Sequence, residues 1–404
     1  MKLITSHLLI GNMSGMGLGT SFFGAISHAQ SREIGVTMNI KSLLLGSAAA
    51  LAAVSGAQAA DAIVAAQPEP LEYVRICDAY GAGYFFIPGT ETCLKIGGKV
   101  RTEGEWYDAY NRNSHNGTLW HTRAELNVST ATDTEYGPLK TETIVRWDWH
   151  DGNSTSTNLL WSYISLGGFT VGKKDSQYNS YIGYAGDVIN DDVIYDGPYE
   201  LNQITYEYDA GNGFSAVVSV EDSNSSGSGA SYGASWWTDD KANHYAPDVV
   251  AGAGFKSGAW GFKVVGGYDS IVEEGAIKAR VDADFGAFTA FLMGGWNTDG
   301  DKLNKYAGTN QDVSACTAPN GTVNASKCGW GDWAVWGGVG VPVNDKLKWN
   351  VQLAYTDSKI FEATTNIKWN PVKNLLIEPE LTYVHYDYAN DDTVSGILRF
   401  ERNF

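Results

Sequence analysis

Leu94 to Trp106 reads LKIGGKVRTEGEW. Leu94, Ile96, Val100 and Trp106 fall on one parity, and Lys95, Lys99, Arg101, Glu103 and Glu105 on the other. A period of two with one apolar and one charged face specifies a β-strand whose two sides meet different surroundings. The charged side is too rich in ions to be buried dry, since each unpaired ion would cost several kcal/mol.

The same code continues along the chain. Trp120, Ala124, Leu126 and Val128 alternate with His121, Arg123, Glu125 and Asn127; Leu139, Val145, Trp147 and Trp149 oppose Lys140, Glu142, Arg146 and Asp148. Turn residues punctuate it at Gly137-Pro138, Gly167-Gly168, Gly211-Asn212-Gly213, Ser257-Gly258, Phe285-Gly286, Asn344-Asp345 and Asn370-Pro371. Continued to Leu398, Phe400 and Phe404 against Arg399, Glu401 and Asn403, the pattern gives about sixteen strands. No apolar run after residue 60 reaches the roughly 18 residues of a membrane helix. The mean hydropathy of -0.22 suits alternating strands instead. The expected fold is all-β: a transmembrane antiparallel β-barrel of about 16 strands, wide enough for an aqueous channel. Trp106, Trp120, Trp149, Trp296, Trp349 and Tyr355, near strand ends, form the expected aromatic girdle.

One stretch breaks the hairpin rhythm. Ser176 to Glu200 reads SQYNSYIGYAGDVINDDVIYDGPYE, too long for a turn and carrying Asp187, Asp191, Asp192 and Asp196. Loops of that length in a compact domain are usually functional. Its position after the fifth strand makes it the expected constriction loop (176–200), folded into the lumen with acids facing the path. The lumen-parity bases Lys99, Arg101, Arg123, Arg146 and Arg399 are the candidates to face it. Two other long segments, 223–247 with Trp236 and Trp237 and 297–331, are expected outer loops.

Composition narrows the function. A formal net charge of -18 argues against nucleic acid, which needs a basic face. His121 and Glu125 are four apart, about 13 Å along a strand and too far to share a metal. His115, His150, His244 and His385 are scattered, and no GxSxG motif occurs. No enzyme activity, cofactor or metal is therefore expected. Besides a diffusion pore, a substrate-specific sugar-type channel and, more remotely, a surface adhesin or sugar-binding barrel fit the pattern.

Cys77, Cys93, Cys316 and Cys328 allow three connectivities, of which the local pairs Cys77 with Cys93 and Cys316 with Cys328 are preferred because each closes a short turn-rich segment. At the N-terminus, Met38-Asn39-Ile40-Lys41, the apolar Ser42 to Ala53 and Ala57-Gln58-Ala59 spell a secretory signal cleaved between Ala59 and Ala60. The expected layout is an upstream extension outside the true reading frame start (1–37), a signal peptide (38–59), a periplasmic segment with a disulfide-closed turn (60–92) and the barrel (93–404).

Several stretches are specific enough to carry a resemblance: MNIKSLLLGSAAALAAVSGAQAADAIVA from Met38, ICDAYGAGYFFIPGTETCLKI from Ile76, GYAGDVINDDV from Gly183, GNGFSAV from Gly211, GDWAVWGG from Gly331 and the ending LRFERNF. Together they resemble the general porins of alphaproteobacteria, of the Brucella, Ochrobactrum and Bartonella type. The resemblance implies an outer-membrane location, a homotrimer, passive diffusion of small hydrophilic solutes and GDVINDDV on the constriction loop. It implies as partners outer-membrane lipid and lipopolysaccharide, the barrel-assembly machinery acting on terminal Phe404, and peptidoglycan attached at Ala60-Asp61. Cys316 and Cys328 in the sixth outer loop, and Arg402 near the terminus, depart from the family pattern.

Overall fold

The computed structural model describes residues 74–108, 117–151, 154–223, 245–310 and 325–404. The signal segment with Ala59 and Ala60, the upstream residues, Trp236, Trp237 and Cys316 lie outside them.

Sixteen long strands follow one another: β1 (Cys93–Asp108), β2 (Gly117–Thr132), β3 (Leu139–His150), β4 (Ser156–Leu166), β5 (Phe169–Asp175), β6 (Glu200–Asp209), β7 (Phe214–Glu221), β8 (Asp248–Ser257), β9 (Trp260–Asp269), β10 (Glu274–Asp284), β11 (Thr289–Asn297), β12 (Trp333–Asn344), β13 (Leu347–Thr356), β14 (Ile360–Trp369), β15 (Leu375–Tyr386) and β16 (Asp391–Asn403). Each pairs antiparallel with the next, and β16 returns to β1 with Arg399 opposite Glu103, so the sheet closes. Closure removes every open edge, as strands immersed in lipid require.

The parity read from the sequence holds around the barrel. Val100, Trp120, Leu126, Ile204, Val218, Leu292 and Leu398 point outward and are exposed to the barrel's surroundings. Aromatics ring both rims of that surface. Trp106, Trp120, Trp149, Trp296, Trp333 and Tyr355 mark the end with the long loops, and Phe169, Tyr206, Trp260, Trp349 and Trp369 the end with the tight turns. This is the amphipathic belt that rings with one polar tip favour at a bilayer boundary. At the tight end, Gly167 and Gly168 both adopt positive φ (+58° and +89°), giving the two-residue hairpin whose twist matches its strands.

The start of β1 and the end of β16 meet on the tight-turn side. Cys77 and Cys93 form a disulfide, and Phe85–Phe86 adds a short paired strand beside Leu94 and Cys93. Cys328 is buried and disulfide-bonded. The terminal Phe404 exchanges two backbone hydrogen bonds with Gly98, at 3.0 and 3.1 Å, and its ring is exposed on the outer surface.

The apolar core lies inside the barrel, not between layers. Tyr178, Ile182, Ala185 and Ile194 of the loop after β5 pack with Val250, Val265, Ala276, Met293, Trp336, Ala354 and Ile360 of the wall and with Tyr306 and Trp330 of the segment joining β11 to β12. A charged lumen therefore has one dry arc, built wherever the loop covers it.

Candidate functional site: a loop seated in the lumen

The loop enters the barrel because its neck is tied at both ends. Ser176 caps a short helix, α1 (Gln177–Ser180), its Oγ accepting from the Tyr178 N–H at 3.1 Å. The same hydroxyl donates to Glu221 of β7 at 2.7 Å, and Gln177 N–H reaches that carboxylate at 3.0 Å. Ser176 N–H donates to Tyr199 O at 3.0 Å and closes the neck.

Beyond the neck, the loop lies along one arc of wall. Tyr181 Oη meets Ser215 of β7 at 2.9 Å, and Lys263 of β9 donates to Tyr181 O. On β10, Lys278 donates to Asn179 Oδ1 at 2.7 Å and Arg280 to Tyr184 O. The tip is held by β13 to β15. Glu380 accepts from Ile189 and Asn190 N–H, Asn190 donates to Thr382 at 3.0 Å, and Gln352 donates to Asp191 O at 3.2 Å. Gly186 passes so close to the Gln352 side chain that any Cβ there would collide with it.

On the return, the wall strand β12 and a second inward segment, between β11 and β12, clamp the loop. Trp336 Nε1 donates to Ile194 O at 3.3 Å and the fully buried Trp330 to Tyr195 O. Tyr195 Oη donates to Lys305 O at 2.8 Å and Asn310 to Asp192 O at 2.6 Å. Lys305 is itself buried against Asp248 of β8 at 2.6 Å.

The four loop acids occupy three different settings. Asp196 lies inside the loop rather than on the path: it is fully buried, accepting from Asn179 and from Ala185 N–H at 3.2 Å each. Bridging acceptors at a loop's base are a folding requirement, and they draw this carboxylate inward. Asp187 sits between Lys348 of β13 and Lys368 of β14. Burial raises its affinity for a proton, but the two ammonium groups outweigh that and hold it below the ordinary carboxylate range. Asp191 and Asp192 are only partly buried. Burial and then Asp196 push Asp192 up to about 6; burial and then Asp192 push Asp191 well above its usual range.

The five bases expected on the lumen wall all lie there, on the arc β16–β1–β2–β3 that the loop leaves uncovered. None of them is paired with a loop acid. The register sets each against a wall carboxylate: Lys99 and Arg146 flank Glu125, Arg101 faces Glu401, Arg123 faces Asp148 and Arg399 faces Glu103. Arg101 Nη2 is 2.8 Å from Glu401, Arg123 Nε 2.6 Å from Asp148 and Arg146 Nη2 3.1 Å from Glu125. Lys99 sits 3.7 Å from Glu125 and 3.8 Å from Glu401. The bases that grip the loop, Lys263, Lys278, Arg280, Lys348 and Lys368, are different ones. Their lumen parity was readable in the sequence; their height along the barrel was not.

Between the two arcs runs a cavity of about 390 Å³ lined by Asp192 and Tyr199 of the loop, Lys99, Glu125 and Arg146 of the bare wall, and Trp161, Asp175 and Glu200 beside them. Acid from the loop and base from the wall therefore border the same space.

This geometry has counterparts. The family model described as "Porin subfamily" matches residues 61–401. The chain is 42% identical over 387 residues to porin Omp2b of Brucella suis biovar 1 (strain 1330), covering 91% of this chain and all of that one. It is as similar to porin Omp2b of Brucella abortus (strain 2308), again at 42%. Among solved structures, the outer membrane channel DcaP of Acinetobacter baumannii superposes with a TM-score of 0.58 over 79% of this chain and 99% of that one at 14% identity. An anion-selective porin from Comamonas acidovorans gives 0.53 over 78% and 100% at 13%. The two structures speak for the fold alone. The sequence relatives, matched from end to end, carry the kinship: with a lipid-facing closed barrel and a polar lumen, this chain belongs to the porin family and forms an outer-membrane channel.

Proposed function

We propose that the channel passes small hydrophilic solutes and ions by passive diffusion, with a weak preference for cations. The observation that carries this is the cavity between Asp192 and the Lys99–Arg146 wall. The bases of that wall are already balanced by Glu103, Glu125, Asp148, Glu378 and Glu401. The loop acid Asp192, which no lysine or arginine pairs, then tips the passage negative. Narrowing brings these charges close to any permeating ion, where they act most strongly.

The charge on Asp192 gives the preference a pH dependence. With its proton affinity centred at about 6, it is ionised at pH 7.5 and neutral at pH 5. Cation preference is expected to decline as pH falls through 6, read as a reversal potential moving toward zero in a salt gradient. A preference unchanged between pH 7.5 and 5 would remove Asp192 from the selectivity. Size-graded sugars in liposome swelling test the diffusion reading. Uptake that falls smoothly with size supports it, whereas saturable uptake of one sugar argues for a substrate-specific channel.

In this reading the working unit is a homotrimer in lipid and lipopolysaccharide, its chains exported by a signal peptide at 38–59 and led by a periplasmic segment at 60–92, with Ala60-Asp61 available to peptidoglycan. Phe404 serves as the end that the assembly machinery engages. Deleting it is expected to lower the yield of folded barrel in the outer membrane severalfold, since it also removes the last closing hydrogen bonds to Gly98. A normal yield would count against that role.

A further inference from the structure

A cluster on the bare wall takes no part in holding the loop. The β1–β2 register sets Glu103 directly across from His121. Glu105, two residues further on, lies on the same lumen face. One ligand atom of each residue falls within 4.8 Å of the other two. Sequence spacing along one strand rejected His121 with Glu125; the cross-strand neighbours are what assemble the group.

Its geometry is that of a prepared imidazole. His121 Nδ1 faces Glu103 Oε2 at 2.7 Å, while Nε2 faces Asp148 Oδ1 at 2.8 Å. Asp148 is oriented by Arg123 at 2.6 Å, and the second oxygen of Glu103 by Arg399. His150 stacks on the ring, centroids 4.2 Å apart and planes 3° off parallel. A carboxylate on the far nitrogen of a histidine fixes its ring and raises its basicity as a ligand, the usual arrangement behind a bound metal.

Glu105 supplies the second, independent sign. Unlike the other wall acids of this arc, it has no hydrogen-bond or ion-pair partner among the described residues. It is also less buried than Glu103 and His121, which are 4% and 5% exposed. It is therefore the member of the cluster that the lumen solvent reaches most readily.

We propose that Glu103, Glu105 and His121 bind a divalent transition cation of the zinc or nickel class on the lumen wall. One imidazole nitrogen with two carboxylate oxygens suits these borderline ions, whereas magnesium and calcium favour all-oxygen sites. The metal takes the place of the proton between Nδ1 and Glu103, and lumen water fills the open positions. Arg101, 3.8 Å from Glu103, and Arg399 weaken binding by repulsion, so the site exchanges its ion with the lumen instead of storing it. An added double positive charge on the lumen wall lowers cation flow.

Calorimetric titration of the untagged, detergent-purified porin with zinc chloride tests this, with magnesium chloride as control. One zinc per chain and no response to magnesium are expected, together with an EDTA-reversible fall in single-channel conductance. Asp148→Asn is expected to weaken binding about 10- to 100-fold by releasing the ring, and Glu105→Gln to abolish it. The barrel's heat-modifiable migration on gels reports folding of each variant, and the partnerless Glu105 keeps the test decisive if Asp148→Asn does not fold. Absence of zinc binding in the wild type would leave only a proton between His121 and Glu103 and overturn the proposal. So would equal binding by Glu105→Gln, or equal binding of magnesium.

Discussion

Replacing Trp330 by alanine is expected to widen the channel. Trp330 is fully buried, lies edge-on to Trp336 at 5.3 Å between centroids, and donates its indole N–H to Tyr195 O at the returning end of the loop. Truncating a buried tryptophan costs about 3–5 kcal/mol, here charged to the seat of the loop and not to the closed sheet. Tyr195 and Ile194 lose the lid above them, and the segment carrying Asp191 and Asp192 loses its fixed distance from the Lys99–Arg146 wall. Higher and noisier single-channel conductance, with admission of sugars that the wild type excludes, is the expected result. Unchanged conductance from a folded variant would mean that the contacts of Glu221, Glu380 and Lys348 alone hold the loop.

Neutralising Asp191 and Asp192 together is expected to abolish the cation preference. A carboxylate about 6 Å from a passing ion contributes about 0.7 kcal/mol at the dielectric of water, roughly threefold in permeability for the charge at Asp192. Salt screening reduces this, so the effect is largest at low ionic strength. The same substitution at Asp187 is expected to change selectivity less, because Lys348 and Lys368 already balance it, and to loosen the tip more. Reversal potentials of the two variants separate these roles; equal shifts would contradict the assignment.

The barrel was legible because its physics is local. Lipid on one side and water on the other force a period of two, and a strand such as Leu94–Trp106 shows it without any knowledge of its neighbours. The inward loop was legible as an exception, too long and too acidic for its place. What could not be read was register. Lys99, Arg101, Arg123, Arg146 and Arg399 were placed on the lumen face by parity, but parity says nothing of height or partner. Only the sheet's stagger shows that each is met by a wall carboxylate, while Lys348 and Lys368 reach Asp187. Asp196 illustrates a second limit: it lies four residues from Asp192 in the same acidic stretch, yet a loop that turns back on itself needs acceptors inside, and Asp196 supplies them to Asn179 and Ala185. The clamp of Trp330, Tyr306 and Lys305 was hidden for the same reason, since that segment carries no strand periodicity.

The central claim is that the loop at Asp192 borders the permeation path. Asp192→Cys, treated from the lumen with a bulky hydrophilic thiol reagent, measures this most directly in single channels. A stepwise, reductant-reversible fall in conductance, absent from the wild type under the same treatment, is the result expected of a carboxylate site facing Lys99 and Arg146 across the cavity. Full modification with conductance unchanged would place the path elsewhere and contradict the account.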